Sequence, residues 1–393
     1  MISVLRGKLK ENEHWIEWLY YAVFSIYYFD LFLWTTMFDA AWVVPFYHVA
    51  IVIAFFIIVV RLIQFDIQEW KKWLLAMLIL GCSGFYWLFG GDKEVLILAI
   101  FLVAAKDIPF RNIVKIAVGI GTAIMVVAFV ASQVGIVEDL VYFDRGSYHH
   151  ALGISYTTDM EAHVLFLLLG FFYLMKGKVK IWVNVLLLVG VSLIFYFVRA
   201  RNNYICMIFL ILGSMFYRLM EEKYGSTEGY KKWSHILAVC MSMAFIIGAA
   251  AMVYWTIRYE PGNPFYDKLN QFITGRLYLG HQGYVNYGVS LWGQVIPQIG
   301  AGRTSEWQGG YFFLDSSYIL VLLEKGLVVF SMMCVISTYA GLKNAKKRVY
   351  VTFLLAIIAL QCVIEHHWMD ISYNYFLIMV MAKMEEWCEK IPE

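Results

Sequence analysis

The stretch WVVPFYHVAIVIAFFIIVVRL, Trp42 to Leu62, carries no acidic or basic side chain before Arg61 apart from His48. As a helix it would extend about 32 Å, enough to cross a hydrocarbon core of about 30 Å. Apolar runs of similar length recur along the 393 residues, at approximately 15–36, 73–90, 94–110, 112–131, 159–175, 179–198, 202–220, 236–257, 313–339, 349–365 and 369–385. They predict about twelve spanning helices. Hydrophobic residues make up 61% of the chain and charged residues 15%, a balance that no soluble core requires. A ten-residue alternating pattern is absent, which favours helices over a barrel. The expected fold is therefore all-α, a polytopic membrane helix bundle forming one integral membrane domain over 1–393.

Tryptophans at the junctions of apolar and polar segments (Trp15, Trp18, Trp42, Trp70, Trp73, Trp182, Trp233, Trp255) fit an interfacial belt. The polar opening MISVLRGKLKENEH precedes a full-length span without a small-residue cleavage site, so a retained first helix is expected. Cys82, Cys206, Cys240, Cys334, Cys362 and Cys388 show no CxxC spacing and no histidine cluster, and they read as buried small residues rather than a disulfide framework or a zinc site. A net charge of +2 without one basic face argues against a nucleic-acid partner.

Lysines dominate the alternate connections that would be cytoplasmic if the amino terminus is. Of the 31 lysines and arginines, those outside that pattern are Lys93, Arg145, Arg199, Arg201, Arg258, Lys268, Arg276, Arg303 and Lys325. This segregation predicts that both termini are cytoplasmic. It also singles out arginines held on the opposite side. Two outer segments are long: about 132–158, and a loop over 258–312 rich in Gly, Tyr and Gln. Loops of that length are usually functional or disordered; the aromatic content here predicts short amphipathic helices lying on the bundle.

Five constellations could carry chemistry. Arg199-Ala200-Arg201-Asn202-Asn203 pairs two guanidinium forks with amides, a set suited to a diphosphate or to anchoring a helix end at lipid headgroups. Thr274-Gly275-Arg276-Leu277 puts a glycine, read as permitting close backbone approach, before a short helix whose start could hold an anion; the alternative is a turn with a surface arginine. Asp315, ahead of Ser316-Ser317-Tyr318, stands where a helix N-cap would. Lower in that span Glu324 and Lys325 are adjacent, and each needs a partner elsewhere. Glu365-His366-His367-Trp368, with Asp370 and Asn374, places a carboxylate beside imidazoles that could accept or orient a hydroxyl proton, or be polar packing at a helix end. If helical, His366 and His367 would point apart and make poor metal ligands. Finally, Arg145 and the run Ala151-Leu152-Gly153-Ile154-Ser155-Tyr156 lead into a span bearing Asp159, Glu161 and His163, polar groups expected to face a cavity.

In their order along the chain, Arg145 with Ala151 to Tyr156, Arg199-Ala200-Arg201-Asn202, Thr274-Gly275-Arg276-Leu277, Leu314-Asp315-Ser316-Ser317-Tyr318 with Lys325-Gly326, and Glu365 followed by Asn374 resemble the Wzy-type polysaccharide polymerases of bacterial envelopes. The likeness covers roughly 140–385. Thr157-Thr158-Asp159 stands where relatives commonly carry Pro-Asn, and Lys325 where a bulky aromatic is common. The resemblance implies a GT-C-like fold in a bacterial cytoplasmic membrane. It implies an enzyme that joins undecaprenyl-diphosphate-linked repeat units on the outer face, an acceptor hydroxyl attacking the anomeric carbon as lipid diphosphate leaves. Membrane lipid, a chain-length regulator and a flippase of the same pathway are implied partners.

On this reading Arg201, Arg276, Arg199, Arg145 and Arg303 serve the diphosphate, where charge stabilisation in a low-dielectric setting matters most. Glu365, His366, Asp315 and His281 are candidates for the base or acceptor-orienting group, and Tyr278, Tyr318 and Asn202 for sugar contacts. No cofactor or metal is expected, since no clustered carboxylates suggest a divalent site. A glycan ligase using the same lipid carrier is the main alternative. A transporter or flippase fits less well, since polar groups gather at helix ends and no repeat is visible; a sensor or scaffold subunit would need no outward arginine set.

Overall fold

A computed structural model describes residues 14–387 except 65, 145, 301 and 304–309. The chain is mostly helical: α1 His14–Trp34, α2 Val44–Ile63, α3 Trp70–Leu88, α4 Glu94–Ala104, α5 Phe110–Gln133, α6 Thr157–Leu174, α7 Ile181–Val198, α8 Arg201–Tyr224, α9 Glu228–Ser242, α10 Ala244–Arg258, α11 Pro264–Phe272, α12 Arg276–Tyr287, α13 Ser317–Leu320, α14 Gly326–Ala345 and α15 Val349–Gln361. Seven stretches among the described residues are long and apolar enough to span a bilayer: Ala41–Ile63, Phe110–Gln133, Thr157–Leu174, Ile181–Val198, Arg201–Tyr224, Glu228–Arg258 and Ser317–Ala345. α4 and α15 are apolar but shorter, at 11 and 13 residues. Seven candidate spans of the expected kind are thus present among the described residues, and the character of an apolar helical membrane protein is plain.

The clearest departure is the run expected as a last helix over 369–385. It forms only a short 3-10 turn over Tyr375–Val380, and every residue from Ile371 to Ala382 is buried. Non-helical backbone at this depth survives only when protein satisfies its polar groups. Here the Lys383 and Phe110 backbone N–H groups bond Ile108 and Lys383 carbonyls at 2.8 and 2.9 Å. Lys343 Nζ reaches the carbonyls of Val380 and Ala382 at 3.4 and 3.3 Å. A composition that apolar cannot distinguish a lipid-facing helix from an irregular segment inserted among helices.

α1 packs on α2 and α5, α6 on α5 and α8, and α9 on α14 and α15. The outer segment before α6 holds a hairpin, β1 Val141–Asp144 paired antiparallel with β2 Ser147–His150. The following Leu152 and Gly153 both take positive φ, 53° and 85°. A Cβ on Gly153 would lie 2.4 Å from the Ala128 carbonyl oxygen, so the turn can press onto the end of α5 only as glycine. From there Ser155 N–H bonds Thr35 O at 2.8 Å, which seats the entry to α6 on the end of α1.

Glu324 and Lys325 occupy a π turn, Val321–Lys325, between α13 and α14. Against the expectation that each needs a partner elsewhere, Lys325 Nζ pairs with its neighbour Glu324 at 2.7 Å, and both also reach distant groups: Lys325 Nζ meets Asp92 at 2.5 Å, and Glu324 accepts from Gln298 Nε2 at 2.7 Å. The pair is thus held by the α3–α4 turn and by the segment after α12. The five cysteines among the described residues are unpaired, and Cys388 lies outside them.

Gly153→Ala combines left-handed strain with a collision against backbone, so folded protein should lose at least about 2 kcal/mol. Thermal unfolding in detergent, with Gly146→Ala in the open hairpin turn as the comparison, measures it.

Candidate functional site

At one end of the bundle a cavity of about 470 Å³ is lined by the start of α6 (Tyr156, Thr157, Thr158), the end of α7 (Phe195, Arg199), the start of α8 (Arg201, Asn202), and the start of α12 (Thr274, Arg276). Tyr311 and Asp315 before α13, Ile364 and Glu365 after α15, and Ser147 and His149 of the hairpin complete it. Its volume is in the range of small-molecule sites.

Arg276 is the first residue of α12 and follows Thr274 and Gly275, both at positive φ (57° and 91°). A Cβ at Gly275 would meet nothing within 4 Å. The glycine is therefore required by its dihedral and not by close approach, which corrects the expectation. Arg276 Nη2 pairs with Asp315 Oδ2 at 3.1 Å, Nη1 donates to the Thr274 carbonyl at 2.9 Å, and Nε donates to the Ile364 carbonyl at 3.3 Å. Three of the five guanidinium N–H groups are thereby engaged and two remain for a ligand. Burial alone would lower the Arg276 pKa, but Asp315 and Glu365 outweigh it and raise it.

Asp315 is not a cap: Ser316 holds the N-cap position of α13 and makes no side-chain capping bond. Asp315 instead faces Arg276 and accepts from the Tyr311 hydroxyl at 3.4 Å. Burial raises its pKa against the pull of Arg276. The two serines that follow work on the backbone. Ser317 N–H bonds the Cys362 and Glu365 carbonyls, each at 3.1 Å, and its hydroxyl donates to Glu365 O at 2.5 Å and accepts from Trp368 N–H at 3.1 Å. α15 has ended at Gln361, so residues 362–368 are irregular and need these bonds. They place Glu365, 2% exposed, at the cavity wall. Burial pushes its carboxyl up to about 7, with Arg276 opposing and Asp315 reinforcing the rise.

Arg199 ends α7 in the left-handed conformation, φ 64°, with its guanidinium 5.1 Å from the Tyr196 ring centroid. Arg201 opens α8, is exposed, and has no ion-pair partner among the described residues. Glu161 explains this junction: its Oε1 accepts from Ala200 N–H at 3.1 Å, and Asn203 Nδ2 donates to Thr158 O at 3.0 Å. Glu161 was expected to face a cavity and is a buried backbone anchor instead.

Several expected site residues stand elsewhere. Tyr318 is fully buried and donates to Ala359 O at 2.8 Å, so it is core and cannot meet a sugar. Tyr278 is exposed, accepts from Gln282 Nε2 at 2.6 Å, and does not line the cavity. His281 bonds Thr256 O through Nδ1 at 2.9 Å, also outside it. Arg303 is held over Trp34, donating to its carbonyl at 2.7 Å, away from the cavity lining. Arg145 lies outside the described residues. His366 abuts Phe313, is absent from the lining, and has its pKa lowered to about 4 by burial and then by Arg276. Asn374 donates to Trp368 O at 2.8 Å and is structural.

His163 is likewise packing: it bonds Thr35 at 2.7 Å and stacks between Phe32 (3.9 Å) and Tyr373 (4.0 Å), and Tyr373 continues onto His367 at 3.8 Å. Because 365–368 is not helical, His366 and His367 do not diverge as expected. Ligand atoms of Asp159, His366 and His367 lie within 4.8 Å of one another, with His367 Nε2 3.7 Å from Asp159 Oδ1. Two ligands of a tetrahedral ion at about 2.1 Å stand about 3.4 Å apart, so the trio is wide for such an ion and would need to contract. Residue reading missed Tyr156 and Tyr311 as cavity walls; only their position beside charged motifs signalled them.

Compared with known proteins, the chain matches no family model, no curated protein and no solved structure.

Ser317→Ala leaves the Trp368 N–H without its acceptor, and should cost about 1–3 kcal/mol. Hydrogen exchange at Trp368, read beside overall thermal stability, would show whether the loss is confined to the segment carrying Glu365.

Proposed function

We propose that the chain is a polysaccharide polymerase of the Wzy type, joining undecaprenyl-diphosphate-linked oligosaccharide units on the outer face of a bacterial cytoplasmic membrane. The observation that carries the reading is one cavity walled by Arg199, Arg201 and Arg276 together with Asp315 and Glu365. Three guanidinium groups suit the oxygens of a departing diphosphate, whose developing charge is best stabilised by fixed donors in a partly dehydrated site. Of the four acid–base candidates only Asp315 and Glu365 line that cavity. Asp315 is engaged by Arg276 and Tyr311, leaving Glu365 to accept the proton of the attacking hydroxyl.

In the reaction the acceptor oxygen bonds to the anomeric carbon, the carbon–oxygen bond to the diphosphate breaks, and the hydroxyl proton passes to Glu365. A buried base with a pKa near the working pH suits that transfer. Arg276 keeps Asp315 and the Ile364 carbonyl in register while its free N–H groups face the leaving group. A glycan ligase would need the same diphosphate set and differ in its acceptor.

Reconstituted protein given its lipid-linked unit should yield a ladder spaced by one repeat, with and without chelator. Arg276→Lys, which keeps charge but loses the planar fork, should reduce polymerisation at least about tenfold; normal ladders from that variant would sink the assignment. Activity should rise with pH as Glu365 loses its proton near 7, and Glu365→Gln should abolish both the limb and the product. Transfer of a single unit to a different acceptor, with no ladder, would favour the ligase.

A further inference from the structure

The opposite end of the bundle holds a second depression, of about 370 Å³. α6 and α8 fix its position, since both begin at the first cavity: Lys176 and Lys178 follow the far end of α6, while Tyr217 and Glu221 lie in the last turns of α8. Lysines reach it from three separated stretches, namely 176–178, 231–232 on α9, and 346–347 before α15. Among the described residues its acidic wall residues are Glu221 and Glu228.

Part of that charge is already used. Lys231 meets Glu228 at 3.5 Å, Lys347 meets Glu386 at 3.4 Å, and Lys176 meets Glu385 at 3.9 Å. Arg348 is fixed into the wall by the carbonyls of Glu385 and Met384 and by Asn344 Oδ1. Lys178, Lys232 and Lys346 are exposed, line the depression, and have no ion-pair partner among the described residues. Trp387, beneath Lys176 at 5.9 Å, gives the wall an aromatic surface.

We propose that this depression binds a phosphoryl group, carried by an anionic phospholipid headgroup or by a soluble phosphate compound. Three exposed lysines line one concavity without a carboxylate partner among the described residues, and compact ammonium groups bind phosphate as point charges. Basic pockets between helices at the cytoplasmic surface bind anionic headgroups in this way. Lysines that served only to orient the chain during insertion would need no such convergence. The site lies a full helix length from the first cavity and does not rest on the reading of that cavity.

Native mass spectrometry of the full chain in detergent, titrated with phosphatidylglycerol or phosphatidylcholine, tests the lipid source, and thermal unfolding titrated with inorganic phosphate tests the soluble one. Phosphatidylglycerol should bind preferentially, with affinity reduced roughly tenfold or more in Lys178→Gln/Lys232→Gln/Lys346→Gln. The corresponding triple Lys→Arg variant and a control, Lys71→Gln/Lys115→Gln/Lys383→Gln, should retain it. Protection by phosphate that is lost in the same lysine triple, without lipid preference, would assign the site to a soluble compound. Binding of neither probe, or equal weakening in both glutamine triples, would overturn the proposal.

Discussion

The guanidinium of Arg276 ties together three stretches that are distant in sequence: the turn at Thr274, Asp315 ahead of α13, and Ile364 beyond α15. Three walls of the first cavity meet at that clasp. Breaking a buried ion pair by deleting one partner typically costs about 3–5 kcal/mol, because the other charge is left uncompensated. The pair is partly accessible from the cavity, and that same opening gives a ligand access to the remaining N–H groups. The group that holds the wall in place is thus also the group best placed to hold an anion.

Around the clasp, the polar motifs divide into those that face the cavity and those that satisfy backbone. Ser317, Asn374, Glu161 and Asn203 all bond main-chain groups at irregular junctions. Such junctions are numerous because the chain inserts non-helical segments, 362–385 above all, among its helices. Each buried N–H or carbonyl there needs a partner, and short polar side chains supply them. A cluster of polar residues at the end of an apolar run therefore carries two meanings that composition cannot separate. Ser317 near Asp315 and Asn203 beside Asn202 show both meanings within two positions of each other.

Charge placement gives the molecule two different ends. Arginines with two carboxylates surround the cavity where α6 and α8 begin, whereas lysines surround the depression beyond where they end. Between them, Lys325 and Glu324 are paired to the α3–α4 turn and to Gln298, so these charged side chains are compensated locally within a candidate span.

The sequence by itself determined the apolar helical character of the chain, the segregation of lysine from arginine, and the short motifs around Arg199, Arg201, Arg276, Asp315 and Glu365 that meet at one cavity. Those features are local: hydropathy over twenty residues and the identity of a side chain do not depend on what lies across the bundle. Only the tertiary structure decided that 369–385 is a buried irregular segment, that Tyr318 and His163 are core, that Asp315 pairs with Arg276 rather than capping a helix, and that Tyr156 and Tyr311 wall the site. The core outcomes rest on partners distant in sequence, 41 positions between Tyr318 and Ala359 and 128 between Thr35 and His163. Residue identity states what a group can bond, and the packing of distant segments selects which bond it makes.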